Sequence, residues 1–494
     1  MISLICLLLI SQGPAETSNS RWDPSDILIE DSLGPYVAFA ADYNYTTGDI
    51  YVACLVDSGY YFGDHPGWAI FRSQDHGLNW ERIFSSAFPQ TDWDARDIDL
   101  VVARDDTLYV SAHAYRKSSG HDRIEYCKFY EGPSNWVYSF LNDIQLSDAE
   151  IRSPKLVRDD FEPFYLYSTF IQHYDGGNDL LYLNISIDKL LSWGAVEFIG
   201  SVDYHDCDLT VSDSTVYWTY SFFQEGAKRI RTRVYRDRCF GLDTNAMLQT
   251  VSDTINANVR YPRIGATTTL PDNGQLVYTF FSQKDSETGN WDLLYKYSED
   301  GGINWTSTPD TLRKGSKSAV RSDIRGYEAE PNEYIDITYS VTTSVPFMGY
   351  NNYFRWSSES DPTDWHDNIN VDGGLFGSVP ELVYSPGAPG SGAGVVYNDY
   401  NGNLWFDAPW LPSGIDEEKD KVAGKINSQI VLAGSSVEIG SADAIVYDVT
   451  GREIITLNSK FWDLKDGKGE EVKAGIYFII DEENGYKLKL SILK

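Results

Sequence analysis

"SQDHGLNW" (Ser73–Trp80) and "SEDGGINW" (Ser298–Trp305) share the spaced pattern S-x-D-x-G-x-x-W. Their tryptophans are 305 − 80 = 225 residues apart. A spaced octapeptide that returns at such a distance points to an internal repeat. Four steps of about 56 residues fill the gap, and Trp136 and Trp193 stand close to two of the intermediate positions. "SIDKLLSW" keeps Ser186, Asp188 and Trp193 but has Leu190 in place of glycine. "FYEGPSNW" keeps only Trp136, "YRDRCFGL" keeps only Asp237, and a degenerate "SESDPTDW" ends at Trp365.

A second marker recurs in phase with the first. Short segments with apolar flanks around one odd residue read "GPYVAF" (34–39), "DIDLVV" (97–102), "SPKLVR" (153–158) and "DCDLTV" (206–211). They continue as "YPRIGA" (261–266), "RSDIRG" (321–326) and "VPELVY" (379–384). Each precedes a turn-rich gap and a Tyr-bearing strand, such as "IYVACLV" at Ile50 or "QLVYTFF" at Gln275. A third strand leads into the octapeptide and a fourth follows it. Four short strands per unit, repeated, are the signature of a β-propeller. Strand-forming residues dominate and no long 3.6-residue period is visible, so the chain is expected to be all-β. Seven units can be counted, with six as the rival number. The seventh lacks an outer strand, and "SDILIE" (25–30) could supply it, closing the ring without an open sheet edge.

The octapeptide belongs at the turn between third and fourth strands. Ser and Asp hydrogen-bond turn backbone, Gly allows positive φ, and Trp anchors the turn in the core. Ser73, Asp75, Gly77 and Trp80, and again Ser298, Asp300, Gly302 and Trp305, resemble the Asp-box (BNR repeat) of sialidase-like propellers. That resemblance implies a folding element on the blade periphery, away from any catalytic centre. It implies a sialidase-like glycosidase only if the family's catalytic residues are also present. Arg-Ile-Pro does not occur. Arg263, with Arg260 and Arg325 nearby, does not make the arginine triad that would grip a carboxylate.

The bulk composition narrows the setting. The 494 residues carry a formal charge of −33, which repels a phosphate backbone and argues against nucleic acid as partner. "MISLICLLLI" (1–10) is too short to span a bilayer and suits the apolar region of a signal peptide over residues 1–15. No transmembrane segment is expected downstream. Cys54, Cys127, Cys207 and Cys239 are widely spaced, with no C-x-x-C, and buried free thiols are as good a reading as disulfides. The seven histidines are scattered and read as surface residues.

The propeller is expected over 22–410, followed by a charged linker over 411–425 and a small β-sandwich over 426–494. Within the last segment, "VYDVTGREIITL" (446–457) and "WDLKDGKGEEVKAGIYFI" (462–479) resemble the C-terminal type A sorting domain of bacterial type IX secretion. Tyr447, Asp448, Gly451, Arg452, Gly475, Ile476 and Tyr477 carry the likeness, with Trp462 before the middle turn. The resemblance implies the type IX secretion machinery as a partner and a secreted or bacterial cell-surface location. A monomer is expected.

Candidate chemistry comes from the repeat alignment. The third residue of each first-strand hexapeptide is Tyr36, Asp99, Lys155, Asp208, Arg263, Asp323 or Glu381. First strands line a propeller's channel, so these residues should form a ring. Asp97 and Asp206 lie two residues earlier on the same face. Charges at such positions must be paired, solvated or used. Three uses follow. The ring binds an extracellular ligand, plausibly a glycan with Lys155 and Arg263 meeting an anionic or hydroxylated group; it serves a glycoside hydrolase or lyase whose acid or base is a carboxylate such as Asp99; or it is structural, in a non-catalytic adhesive protein. No cofactor is expected, although carboxylate pairs on one face could hold calcium.

Overall fold

The computed structural model describes the chain from Asp26 to Leu493 except for residues 32, 34–37, 57–64, 88–92, 117, 119, 134, 147–148, 160–164, 175–178, 213, 225, 237–246, 251–257, 268–275, 315–318, 330–331, 343–349, 359–360, 371–379, 385–392, 399–402, 409–426, 433–436, 439–443, 449–451, 458, 460, 470, 474 and 482–485. The expected signal peptide, the linker, Tyr36, Cys239 and Gly451 lie outside the described residues. Every described element is a strand, and no described helix is long and apolar enough to cross a membrane.

The chain is a seven-bladed β-propeller followed by a small sandwich. Strand β1 (Ile27–Glu30) opens it. Blade 1 contains β2 (Ala38–Tyr43), β3 (Ile50–Val56), β4 (Gly67–Ser73) and β5 (Glu81–Ala87). Blade 2 contains β6 (Trp93–Val102), β7 (Leu108–Arg116), β8 (His121–Glu131) and β9 (Trp136–Leu146). Blade 3 has β10 (Glu150–Arg158), β11 (Leu166–His173), β12 (Asp179–Ser186) and the first half of β13 (Gly194–Ser212). The second half of β13, with β14 (Thr215–Gln224), β15 (Ala227–Tyr235) and β16 (Met247–Thr250), makes blade 4, so blades 3 and 4 share one seven-stranded sheet.

Blade 5 is β17 (Val259–Ala266), β18 (Val277–Lys284), β19 (Trp291–Ser298) and β20 (Asp310–Arg313). Blade 6 is β21 (Ala319–Ala329), β22 (Asn332–Thr342), β23 (Tyr350–Ser358) and β24 (Asp361–Asn370). Blade 7 has β25 (Glu381–Tyr384), β26 (Ala393–Asn398) and β27 (Leu404–Asp407). Its fourth strand is β1, antiparallel to β27 with Ile27 opposite Phe406. The ring therefore closes as expected, by joining its two ends.

The core is a series of layers between blades. β3 (IYVACLV) is buried at every residue because both faces of a second strand meet a neighbouring blade. The outer β5 carries Glu81 and Arg82 and is largely exposed, which suits an edge strand. Cys54, Cys127 and Cys207 are free and buried, acting as small apolar residues in these layers.

The octapeptide turns show how the layers are held. In blade 1, Ser73 Oγ donates to Asp75 Oδ1 (2.9 Å) and accepts from Gly77 N (2.8 Å). Asp75 Oδ1 also accepts from Asn79 N (2.8 Å). Blade 5 repeats this through Ser298, Asp300, Gly302 and Asn304, and blade 3 through Ser186, Asp188, Leu190 and Ser192. Gly77 and Gly302 have φ of 91° and 83°; in blade 3 Leu190 takes φ of 70° and buries its side chain.

The tryptophan reaches backward to the preceding blade. Trp80 packs on Phe406 of blade 7 (5.5 Å between ring centroids), Trp136 on Tyr51 of blade 1 (6.1 Å), and Trp193 on Tyr126 of blade 2 (4.8 Å). Trp305 joins Val234 and Ile230 of blade 4, and Trp365 meets Tyr278 of blade 5 (5.6 Å). The residue expected to anchor its own turn thus also binds one blade to the last.

Residues 1–414 and 415–494 form two compact units. In the second, β28 (Asn427–Leu432), β34 (Tyr486–Leu493), β33 (Gly475–Asp481), β30 (Ile445–Asp448) and β31 (Glu453–Thr456) form one sheet in that order. β29 (Val437–Glu438) pairs with β32 (Phe461–Trp462) as a second. Trp462 is fully buried, its Nε1 donating to Lys465 O (2.8 Å) and its ring 5.6 Å from Tyr477. Asp448 pairs with Tyr477 across β30 and β33, Gly475 and Ile476 begin β33, Tyr447 is half-buried and Arg452 is exposed.

Candidate functional site: the channel

First strands line the channel, and a β-bulge precedes the expected charged position in five of them. The register shifts fall at Ala95/Asp97, Arg152/Lys155, Tyr204/Asp206, Arg260/Arg263 and Ala319/Arg321. A bulge bends a strand and re-aims the side chain that follows it. Here the following side chains are the channel row.

The bulges are of two kinds. In blades 3 and 5 the residue before a proline has positive φ, Ser153 at 48° and Tyr261 at 54°. Pro154 and Pro262 then precede Lys155 and Arg263, and Pro380 precedes Glu381 in blade 7. A proline supplies no N–H at the position just before the row residue. Blades 2 and 4 instead carry Asp-x-Asp, as Asp97/Asp99 and Asp206/Asp208, and blade 6 carries Asp323.

The row aspartates reach forward to the next blade. Asp99 Oδ2 accepts from Leu156 N (2.7 Å), Asp208 Oδ2 from Ile264 N (2.9 Å) and Asp323 Oδ2 from Leu382 N (2.8 Å). In each case the donor directly follows the row residue of the odd blade. Asp42 Oδ2 makes a similar bond to Val102 N (2.8 Å). A second tier lies on third strands: Asp122 Oδ2 accepts from Ile151 N (2.7 Å) and Asp179 Oδ2 from Tyr204 N (3.0 Å). A charge-assisted bond of this kind satisfies a backbone amide that is shut away from water.

Five of the six charged row positions converge. Asp99, Lys155, Asp208, Asp323 and Glu381, together with Asp42, line one cavity of about 190 Å3. The cavity extends along the first strands past the row, to Val101, Arg158 and Ser212. Arg263 is not on its wall. Its Nη1 donates to Pro262 O (2.8 Å) and lies 3.8 Å from Asp206 Oδ1, which also accepts from Ser153 Oγ (2.7 Å). Lys155 Nζ lies 3.9 Å from Asp99 Oδ2.

Burial pushes the Asp208 carboxyl up to about 6, against the pull of Arg263 and Lys155. It raises Asp97 and Asp99 too, again opposed by Lys155. Burial works to lower Lys155 and Arg263, but surrounding carboxylates outweigh it. Asp99, Glu381 and Asp208 hold Lys155 above its ordinary value; Asp206, Asp208, Asp323 and Glu381 do the same for Arg263. Both cations are therefore fixed in their charged form inside an excess of acid.

Two histidines depart from the surface role expected of them. His113 is buried with Nε2 3.5 Å from Asp122 Oδ1, and His173 Nδ1 is 2.8 Å from Asp179 Oδ1. Asp122 and Asp179 occupy matching places in blades 2 and 3, and each histidine stands beside one of them from the neighbouring strand. The histidines' lone occurrence in the sequence hid a pairing that exists only across strands. Among the described residues, no three of His, Cys, Asp and Glu are grouped as ligands of a metal ion would be.

No family model matches the chain, and no curated protein matches it. Solved structures similar to it include an α-L-arabinanase of Penicillium chrysogenum complexed with arabinobiose, at 13% identity over 78% of this chain and 97% of that one, TM-score 0.43. The GH93 α-L-arabinofuranosidase of Fusarium graminearum with arabinobiose is similar at 11% identity, over 78% and 98%, TM-score 0.43. The NanB sialidase of Streptococcus pneumoniae is similar at 11%, over 77% and 70%, TM-score 0.38. At these identities and scores no statement about activity follows.

Proposed function

We propose that this chain is an exported propeller that binds a hydroxyl-rich extracellular ligand, a glycan, in its channel. The observation that carries the reading is the convergence of five row side chains, from blades 2, 3, 4, 6 and 7, on one cavity. Carboxylates accept from sugar hydroxyls, and Lys155 donates to them. The carboxylates around Lys155 and Arg263 leave a bound anion facing net negative charge, so a neutral saccharide suits the site better than a sialic acid. The octapeptide turns, read as Asp-boxes, are structural. The C-terminal unit, read as a type IX sorting domain, delivers the propeller to the surface or the medium.

Binding to a neutral glycan array, repeated with Glu381→Gln and Lys155→Gln, tests this. Both substitutions should lower retention several-fold while leaving the melting temperature within a few degrees. Retention unchanged in both variants would remove the channel from the binding site. Deletion of residues 415–494 should leave the propeller inside the producing cell; export without them would end the sorting reading.

A second reading is glycoside hydrolysis. Asp208 supports it, because a carboxyl titrating near 6 suits acid–base work near neutral pH. Release of reducing ends from a retained glycan, lost in Asp208→Asn, would select this reading over binding alone.

A further inference from the structure

A second pocket, about 370 Å3, lies between blades 2 and 3 and shares no residue with the channel cavity. Three pieces of chain build it. The β6–β7 turn contributes Asp105, Asp106 and Thr107. The end of β8 contributes Lys128, Tyr130 and Glu131, and the octapeptide turn of blade 3 contributes Lys189. From these we infer a second saccharide site, one that takes a neutral, hydroxyl-rich ring.

The frame is rigid. Asp106 has φ of 58°, and its Oδ1 accepts from Asn44 Nδ2 (2.7 Å) and Tyr51 Oη (2.8 Å), both reaching across from blade 1. Asp106 N donates to Ala103 O (3.1 Å), and Thr107 N to Asp105 Oδ1 (3.2 Å). A wall held in this way loses little freedom when a ligand binds. The chemistry is balanced: three acids (Asp105, Asp106, Glu131) stand against two lysines (Lys128, Lys189), a formal sum of 2 − 3 = −1. Sugar hydroxyls can donate to the acids and accept from the ammoniums. The exposed Tyr130 ring, with Lys128 Nζ 5.3 Å from its centroid, offers an apolar platform for the ring's C–H face.

The turn of blade 3 departs from the motif where it borders this pocket. Blades 1 and 5 place His76-Gly77 and Gly301-Gly302 at the two left-handed positions. Blade 3 places Lys189 at φ 58° and Leu190 at φ 70°. Leu190 is accounted for by the core it fills. Lys189 is exposed, takes the same left-handed position as His76 of blade 1, and brings an ammonium to the pocket wall.

The test is saturation-transfer NMR on the full chain with methyl glycosides of neutral hexoses and pentoses. Wild type is compared with Tyr130→Ala, Lys189→Gly and the channel variant Glu381→Gln. Affinity for at least one glycoside should fall tenfold or more in the first two. The inference is overturned if no glycoside binds at about 10 mM, if folded Tyr130→Ala binds like wild type, or if sulfated glycosides bind more tightly than neutral ones. Loss confined to Glu381→Gln would leave the channel reading standing and remove this one. Lys189→Gly relieves strain at an exposed position, so its melting temperature separates lost binding from lost fold.

Discussion

Odd and even blades solve the same problem with opposite means. Blades 2, 4 and 6 put an aspartate in the channel and spend it on a backbone amide of the next blade. Blades 3, 5 and 7 put Lys155, Arg263 or Glu381 there, behind a proline, and receive that bond on the following residue. At the rim the direction is reversed in odd and even blades alike: the tryptophans that end the octapeptide segments of blades 1, 2, 3, 5 and 6 all lean on the blade before them. The alternation therefore belongs to the channel row, where an aspartate of blade 2, 4 or 6 reaches forward to blade 3, 5 or 7. Seven is an odd number, so one like pair must adjoin. It is blades 7 and 1, where the chain closes through β1 and where Glu381 stands in place of the cation of blades 3 and 5.

The comparison breaks most visibly at a forward-reaching carboxylate. Asp99→Ala strips acceptors from Leu156 N and Leu100 N and removes the carboxylate nearest Lys155, so equilibrium unfolding should show a loss of about 3 kcal/mol. Lys155→Met removes a receiver's side chain and leaves the amide bond intact, and should cost less. If the two cost the same, the forward bond is not what joins the pair.

At the rim, Gly77→Ala places a Cβ 2.0 Å from the Phe406 ring at φ 91°, and should cost about 2–3 kcal/mol by thermal melting. Leu190→Gly at the matching site of blade 3 relieves a left-handed leucine but empties a core position. The net loss should be about 2 kcal/mol. A gain in stability there would mean the leucine is dispensable.

The pH dependence sharpens the comparison. Asp208 has a folded value raised to about 6, so the folded state holds the extra proton and stability falls as pH rises from about 4 through 6. Asp208→Asn should flatten that window and keep an amide oxygen for Ile264 N. Asp122 runs the other way. Burial would raise it, but His113, Ile151 N and Arg96 together hold it below its ordinary value, so its contribution is lost as pH falls through the acid range. Urea midpoints across pH 3–7 read both slopes. The smallest effect expected is Lys189→Gly, a gain of about 1 kcal/mol or less by the same assay.

Most of the ring was legible before any coordinates. Two complete octapeptides fixed the phase, and the hexapeptides located the first strands of units 2 to 7, because strand pairing and turn chemistry are local and repeat with the unit. The alternation was also written there: Pro154, Pro262 and Pro380 stand before the row residues of units 3, 5 and 7, against Asp-x-Asp in units 2 and 4. Single residues without a repeated neighbour stayed silent. Asp42, Asp122 and His113 look like any surface polar residue until the strand that faces each of them is known.

By itself, the sequence determined that the chain repeats, that the units are four-stranded, and that charged residues sit where a channel should run. Those features depend on spacing and side-chain alternation, which are properties of the chain alone. Only the tertiary structure decided how those charges are used. Whether a carboxylate caps an amide, holds a lysine or faces a cavity depends on distances of a few ångströms between blades some 55 residues apart, since hydrogen bonding and desolvation act over that range and no further.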